Sequence, residues 1–183
     1  MQKITIISGH PDIEKSTANN SILNIMVKKN SVSIVHLIHE YPDYEIDVER
    51  EISRLQESEI IVLQFPFHWY GVPAIMKKWI DSITTPLVYG DRKGALKGKG
   101  LLISTTTGGP EESYSPHGYN KYSMKQFLLP LLKLGDSLGM NVLEPLVMHS
   151  ATGEPTAIHT RAQEHTVKMI NEINYQYETV LER

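Results

Sequence analysis

Residues 60–73 read Ile60-Ile61-Val62-Leu63-Gln64-Phe65-Pro66-Phe67-His68-Trp69-Tyr70-Gly71-Val72-Pro73. The first five form an apolar run without alternation, the pattern of a strand covered on both faces and therefore central in its sheet. Pro73 then opens a helix, where a missing N–H costs nothing. Ile75, Met76, Trp79 and Ile80 give that helix its buried stripe. Between strand and helix stand Phe67, His68, Trp69 and Tyr70, at the point where solvent begins. Core packing is a poor explanation for them there. A planar, partly apolar ligand would stack on such residues. A subunit interface, which also favours Trp and Tyr, is the other reading, and the two are compatible.

Working outward, the strand–loop–helix unit recurs. Ile4-Thr5-Ile6-Ile7-Ser8 is a first strand, and a helix follows from Ser16, a fitting N-cap, to about Asn30, with Ile22, Leu23, Met26 and Val27 on one face. Val32 to Leu37 is a second strand and Val48 to Gln56 a short helix. Leu101 to Ser104 is the fourth strand, Met124 to Leu138 a helix interrupted or bent near Pro130, and Val142 to Met148 the fifth strand. A last helix carries Ile158, Ala162, Met169, Ile170, Ile173 and Tyr177 at three- and four-residue spacing. Five strands alternating with helices predict a three-layer α/β sandwich around a parallel sheet. No repeat, low-complexity tract or linker divides residues 1–183, so one domain is expected. In such sheets ligands bind beyond the carboxyl ends of the strands, which directs attention to the segments after strands one, three and four.

Composition narrows the function classes. The 183 residues are 40% hydrophobic and 21% charged, a globular balance. Eighteen Lys and Arg against 21 Asp and Glu leave a formal charge of -3, which argues against a nucleic-acid surface, where clustered cations must neutralise phosphates. The absence of cysteine excludes disulfides, thiolate metal sites, iron–sulfur clusters and cysteine nucleophiles. No apolar run approaches ~18 residues, and Met1 to His10 reads as a buried strand rather than a secretory signal, so a cytoplasmic protein is expected.

The three strand ends each carry a motif. After strand one come Gly9-His10-Pro11 and then Ser16-Thr17-Ala18-Asn19 at a helix start. Free backbone N–H groups, two hydroxyls and the helix dipole there suit a phosphate, although a capped helix with a loop histidine would look the same. After strand four come Thr105-Thr106-Thr107-Gly108-Gly109-Pro110, where glycines permit close backbone approach and threonines offer hydroxyls. No GxGxxG follows a strand, and Gly94-Ala95-Leu96-Lys97-Gly98 has the wrong spacing for Walker A. A phosphate cradle, an aromatic platform and a glycine-rich donor loop on one sheet edge fit flavin mononucleotide better than ATP or NAD. Metal and hydrolase readings do poorly. His36/His39 and His159/His165 lack carboxylates at ligand spacing and read as solvated or capping histidines, and neither HExxH nor GxSxG occurs.

Taken in order, Gly9-His10-Pro11 with Ser16, Ala18 and Asn19, then Gln64-Phe65-Pro66 with Trp69-Tyr70 and Val72-Pro73-Ala74 running on to Lys78-Trp79-Ile80-Asp81, then Thr106-Thr107-Gly108-Gly109, resemble the flavodoxin-like NAD(P)H:quinone oxidoreductase family. Tyr41-Pro42-Asp43 and Ile46-Asp47 are similar to its short bacterial members, which include ancillary flavoproteins of glutathione-gated potassium-efflux systems. The resemblance implies strand order 2-1-3-4-5, with His10, Ser16, Thr17, Ala18 and Asn19 on the flavin phosphate and ribityl chain. Phe67, His68, Trp69 and Tyr70 would line the isoalloxazine, and Thr106, Thr107, Gly108 and Gly109 would meet its pyrimidine edge. Tyr114 matches the family's catalytic tyrosine, while the position of its histidine falls on Asn120, with His117 three residues earlier. Asn120 can donate a hydrogen bond there but not a proton at neutral pH. Long members bind FAD through a C-terminal extension, so the short chain favours FMN.

The activity implied is a two-step relay, with NAD(P)H delivering a hydride to the flavin and a quinone then taking two electrons at the same place. Family members pair as homodimers with the flavin between subunits. Two other functions fit the same fold. A flavodoxin-type electron carrier is one, although a charge of -3 is mild for such carriers. A regulatory ancillary subunit, peripheral at the inner face of the cell membrane on a potassium-efflux transporter, is the other.

Overall fold

The computed structural model describes residues 3–181, with side chains through 175, and in it the apolar runs pair in parallel. β1 (Ile4–Ser8) lies between β2 (Val32–His36) and β3 (Ile60–Pro66), and β4 (Gly100–Thr106) follows β3. The order β2-β1-β3-β4-β5 is the expected 2-1-3-4-5 arrangement of a flavodoxin-like sheet. β1, β3 and β4 are buried at every residue, as unbroken apolar runs require. The fifth position differs from expectation. Two short strands, β5 (Asn141–Val142) and β6 (Leu146–Met148), pair with β4 in place of one strand from Val142 to Met148. Pro145 is the physical reason, because it has no N–H for the ladder and restricts Glu144 before it.

α1 (Thr17–Met26) and α6 (Pro155–Leu181) cover one face. α3 (Val48–Gln56), α4 (Ala74–Val88) and α5 (Met124–Ser137) cover the other, while α2 (Leu37–Glu40) is a single turn after β2. Strand alternation divides the core accordingly. Ile6, Val62 and Leu102 pack under α1 and α6, and Ile7, Leu63 and Ile103 pack under α3 to α5. Each such side chain contributes about 1.5–3 kcal/mol by leaving water. Ser16 caps α1 as expected, its Oγ accepting the Asn19 N–H at 3.1 Å, but the helix ends at Met26. α4 runs past Asp81 to Val88 because Ile83 and Leu87 prolong the buried stripe. α5 passes through Pro130, which sits on its exposed side, without an interruption. The side chain of Tyr177, last in the stripe expected on α6, lies outside the described residues.

The carboxyl ends of the strands are polar. His36, Ser8, Gln64 and Ser104 form one register row across β2, β1, β3 and β4. Ser104 Oγ meets His165 Nε2 of α6 at 2.7 Å, and His165 is only 4% exposed. The two α6 histidines are thus not solvated caps as a pair: His165 is core, and His159 Nδ1 pairs with Ser21 Oγ at 2.7 Å. Burial, with Lys168 adding to it, lowers the His165 pKa from 6.5 to about 4. The unfolded chain therefore takes up this proton first, and the stability present above pH 6.5 is lost as pH falls toward 4. Between pH 7 and pH 5 this histidine is expected to cost about 2 kcal/mol of stability. Urea unfolding at both pH values checks it, since His165→Leu should flatten that part of the pH profile.

Candidate functional site

The ends of β1, β3 and β4 meet over a cleft of about 430 Å³, within the range of small-ligand sites. One wall is the start of α1, with Ser16, Thr17 and Ala18. The facing wall is Pro66, Phe67 and His68 after β3, and Thr106 and Gly108 after β4. Thr152 and Gly153, from the loop before α6, close the third side.

The α1 end is built to receive an anion. The Thr17 and Ala18 N–H groups belong to the first turn and have no intrahelical carbonyl to meet, and the helix dipole adds partial positive charge. Lys15 lines this end while its ammonium pairs with Asp12. Gly9 is required behind it, since a Cβ there would stand 2.7 Å from the Met76 Cβ of α4. His10 Nδ1 accepts the Asp12 N–H at 3.0 Å. Burial, then the neighbouring His68, hold the His10 pKa below its ordinary value, so the neutral ring carries its proton on Nε2. Asn19 is buried behind the wall. Its Nδ2 donates to Ser16 Oγ at 3.1 Å and Thr106 Oγ1 at 3.0 Å, and its Oδ1 accepts from Gln64 Nε2 at 2.9 Å.

The aromatic loop turns abruptly. His68 and Gly71 exchange both backbone hydrogen bonds at 3.0 Å, and Trp69 and Tyr70 between them have φ of 45° and 69°. This is a two-residue hairpin turn of type I′, normally built from Asn and Gly. Trp69 and Tyr70 thus occupy the left-handed region, at roughly 1–2 kcal/mol each. The turn leaves Trp69 93% exposed, and of the four loop residues expected on the ring Phe67 and His68 line the cleft while Trp69 and Tyr70 do not. Tyr70 stacks on Phe127 of α5 at 5.3 Å, and Phe127 in turn contacts Phe67 at 5.5 Å and Tyr122 at 5.8 Å.

In the third loop Thr106 and Thr107 are buried, and Thr107 Oγ1 donates to the Gly109 carbonyl at 2.9 Å. The Tyr114 ring covers Gly109, 3.4 Å from where a Cβ would lie. It also approaches His149 at 5.4 Å and Phe67 at 6.2 Å. Residues 110–120 fold back so tightly that a Cβ on Gly118 would fall 2.2 Å from the Glu112 carbonyl. The same fold brings the Asn120 N–H to Ser113 O at 2.9 Å, next to Tyr114, and leaves His117 exposed. Of the residues expected at this end of the site, Thr106 and Gly108 line the cleft, whereas Thr107, Gly109, Tyr114 and Asn120 are not among its lining residues. Phe127 and His149 escaped the sequence reading. Phe127 adjoins the buried Met124 and Leu128 of α5, so its helical spacing was a usable signal, whereas nothing local marked His149.

A parallel sheet of this order, with a helix start and the loops after β3 and β4 lining a cleft at its switch point, defines a flavodoxin-class α/β protein. A family model described as a flavodoxin-like fold matches residues 2–172, and the chain belongs to the flavodoxin-like NAD(P)H:quinone oxidoreductase family. It is 32% identical over 163 residues to the glutathione-regulated potassium-efflux system ancillary protein KefG of Pectobacterium carotovorum, covering 88% of this chain and 89% of that one. Its fold is similar to that of general stress protein 14 from Treponema denticola, solved in complex with FMN, with a TM-score of 0.85 at 24% identity, covering 92% and 98% of the two chains. An NADPH-quinone reductase from P. pentosaceus is similar with a TM-score of 0.76 at 25% identity, covering 91% and 96%. No helix among the described residues is long and apolar enough to cross a membrane.

Proposed function

We propose that this protein is an FMN-dependent NAD(P)H:quinone oxidoreductase. The observation that carries the reading is one cleft with N–H donors at its α1 end and an aromatic wall at its other side. That division fits a flavin with a phosphate tail: the first-turn N–H groups, Ser16 and His10 Nε2 suit the phosphate, and Phe67 and His68 suit a flat ring. When bound there, FMN would supply the chemistry of accepting a hydride from NAD(P)H and passing two electrons to a quinone. The chain's own task is orientation and electrostatics. The Gly108 and Gly109 backbone offers donors to a polar ring edge, and the Tyr114 hydroxyl beside Gly109 adds a donor where negative charge collects. Asn120, held beside Ser113, is proposed to support the Tyr114 loop. Trp69, Tyr70, Tyr122 and Leu129 are exposed, and a second copy of the chain covering them would complete the site as a homodimer.

The relationship to KefG supports a second role, as a cytoplasmic ancillary subunit peripheral to a potassium-efflux transporter, which is compatible with the enzymatic one. Purified protein should be yellow, release FMN rather than FAD on acid precipitation, and oxidise NADH or NADPH faster when a quinone is added. A colourless protein that binds neither added FMN nor added FAD overturns the enzymatic reading.

A further inference from the structure

A chain of buried hydrogen bonds runs from α6 to the cleft, and its direction can be worked out donor by donor. Ser104 Oγ donates to Gln64 Oε1 at 2.6 Å, so its single proton is used and the 2.7 Å contact with His165 must be donated by His165 Nε2–H. Gln64 Nε2 donates to Asn19 Oδ1 at 2.9 Å. Asn19 Nδ2 donates to Ser16 Oγ at 3.1 Å and to Thr106 Oγ1 at 3.0 Å. Ser16 Oγ also accepts the Asn19 backbone N–H at 3.1 Å, which fills both its lone pairs. Every donor therefore points from His165 toward the cleft. Ser16 and Thr106, which both line it, have no acceptor for their own protons among the described residues.

We propose that the His165–Ser104–Gln64–Asn19 chain is a positioning device that makes the Ser16 and Thr106 hydroxyls donors into the cleft, so that it prefers an acceptor-only phosphate monoester over a neutral hydroxyl at that place. This rests on the flavin reading and deepens it: the residues specify FMN over riboflavin, with the Thr106 hydroxyl, bridged to Ser16 through Asn19 Nδ2, set at the phosphate end instead of the pyrimidine edge that the resemblance implies. His165 acts at a distance, through three other side chains. Buried hydrogen bonds polarise one another along such a chain, so an interruption at its start weakens its end. Turning over both amides would reverse the chain. Ser104 would then donate to His165 Nε2, and Ser16 and Thr106 would present lone pairs to a ligand that also has only lone pairs.

The two directions require different His165 tautomers, which makes the proposal measurable. Dissociation constants for FMN and riboflavin are to be determined by fluorescence titration in the parent, Ser104→Ala, His165→Leu and His165→Gln. Ser104→Ala and His165→Leu should weaken FMN about fivefold or more and leave riboflavin unchanged. His165→Gln should restore the parent ratio, because its amide can again donate to Ser104. Long-range ¹H–¹⁵N spectra of the FMN-bound parent should show His165 protonated at Nε2, its signals assigned by their loss in His165→Gln. A variant that loses affinity for both flavins equally, an unchanged FMN-to-riboflavin ratio, or an unprotonated Nε2 each overturns the proposal. A parent that binds FMN and gives one of those results removes the chain's role and keeps the flavin reading. A parent that binds neither flavin removes both.

Discussion

Glu51→Ala is expected to destabilise the protein by about 3–5 kcal/mol, the cost of leaving buried partners without their charge. Glu51 is 0% exposed, yet both carboxylate oxygens are occupied. Oε1 accepts from Tyr41 Oη at 2.7 Å and from Arg54 Nη1, and Oε2 accepts from Trp79 Nε1 at 2.8 Å. Three segments thus converge on one side chain: the Tyr41 loop, α3 and α4. Burial, then Glu51, pushes the Tyr41 hydroxyl pKa up, so it remains a donor throughout the working pH range. Alanine would leave a buried hydroxyl, an indole N–H and a guanidinium facing a void. For a chain of this length that loss corresponds to a melting temperature lower by about 10 °C. Glu51→Gln keeps the shape and one acceptor oxygen and should fall between the two. Because Glu51 packs under the α3 and α4 face, flavin affinity of the folded variant should match the parent. A urea unfolding free energy within about 1 kcal/mol of the parent for Glu51→Ala would remove this cluster from the stability of the fold.

Much of this architecture is written locally. The apolar runs at Ile4, Ile60 and Leu101 declare central strands because burial on both faces leaves no room for polar alternation. The bounds of α3 follow from Asp47, whose side chain accepts the Arg50 N–H, and from the stripe ending at Leu55. The cleft was legible as three loops at one sheet edge, because strand order and connection rules bring them together. What stayed hidden depends on distant partners. Gln64 and Ser104 read as strand residues and Asn19 as a direct flavin contact, and only the assembled layers make the three a hydrogen-bonded chain. His165 was nearer to legible, since it falls three residues after Ala162 and four before Met169, on the buried stripe of α6. The left-handed turn at Trp69-Tyr70 had no sequence signal at all, because neither residue type favours that conformation.

That turn sets up a substitution whose effects on stability and on binding should have opposite signs. Trp69→Gly removes a bulky residue from φ 45°, where glycine bears no steric penalty. The side chain is 93% exposed, so almost no packing is lost with it. After the greater unfolded-state freedom of glycine is set against the relieved strain, a net gain of about 0.5–1 kcal/mol is expected, or a few degrees in melting temperature. Trp69→Ala keeps a Cβ in the left-handed region and should gain nothing. Flavin retention should move the other way, by about tenfold in dissociation constant, since an aromatic face beside the ring is worth roughly 1 kcal/mol beyond its area. A strained, exposed tryptophan makes sense only if something covers it, and the two occupants separate by measurement. If Trp69 covers the flavin, FMN affinity falls while the sedimentation mass stays that of the parent. If a second copy is the occupant, the mass itself falls toward one chain and FMN affinity follows. A stabilised Trp69→Gly that keeps both parent affinity and parent mass would show that the strain at this turn serves neither, and the aromatic loop would then lose its place in the proposed site.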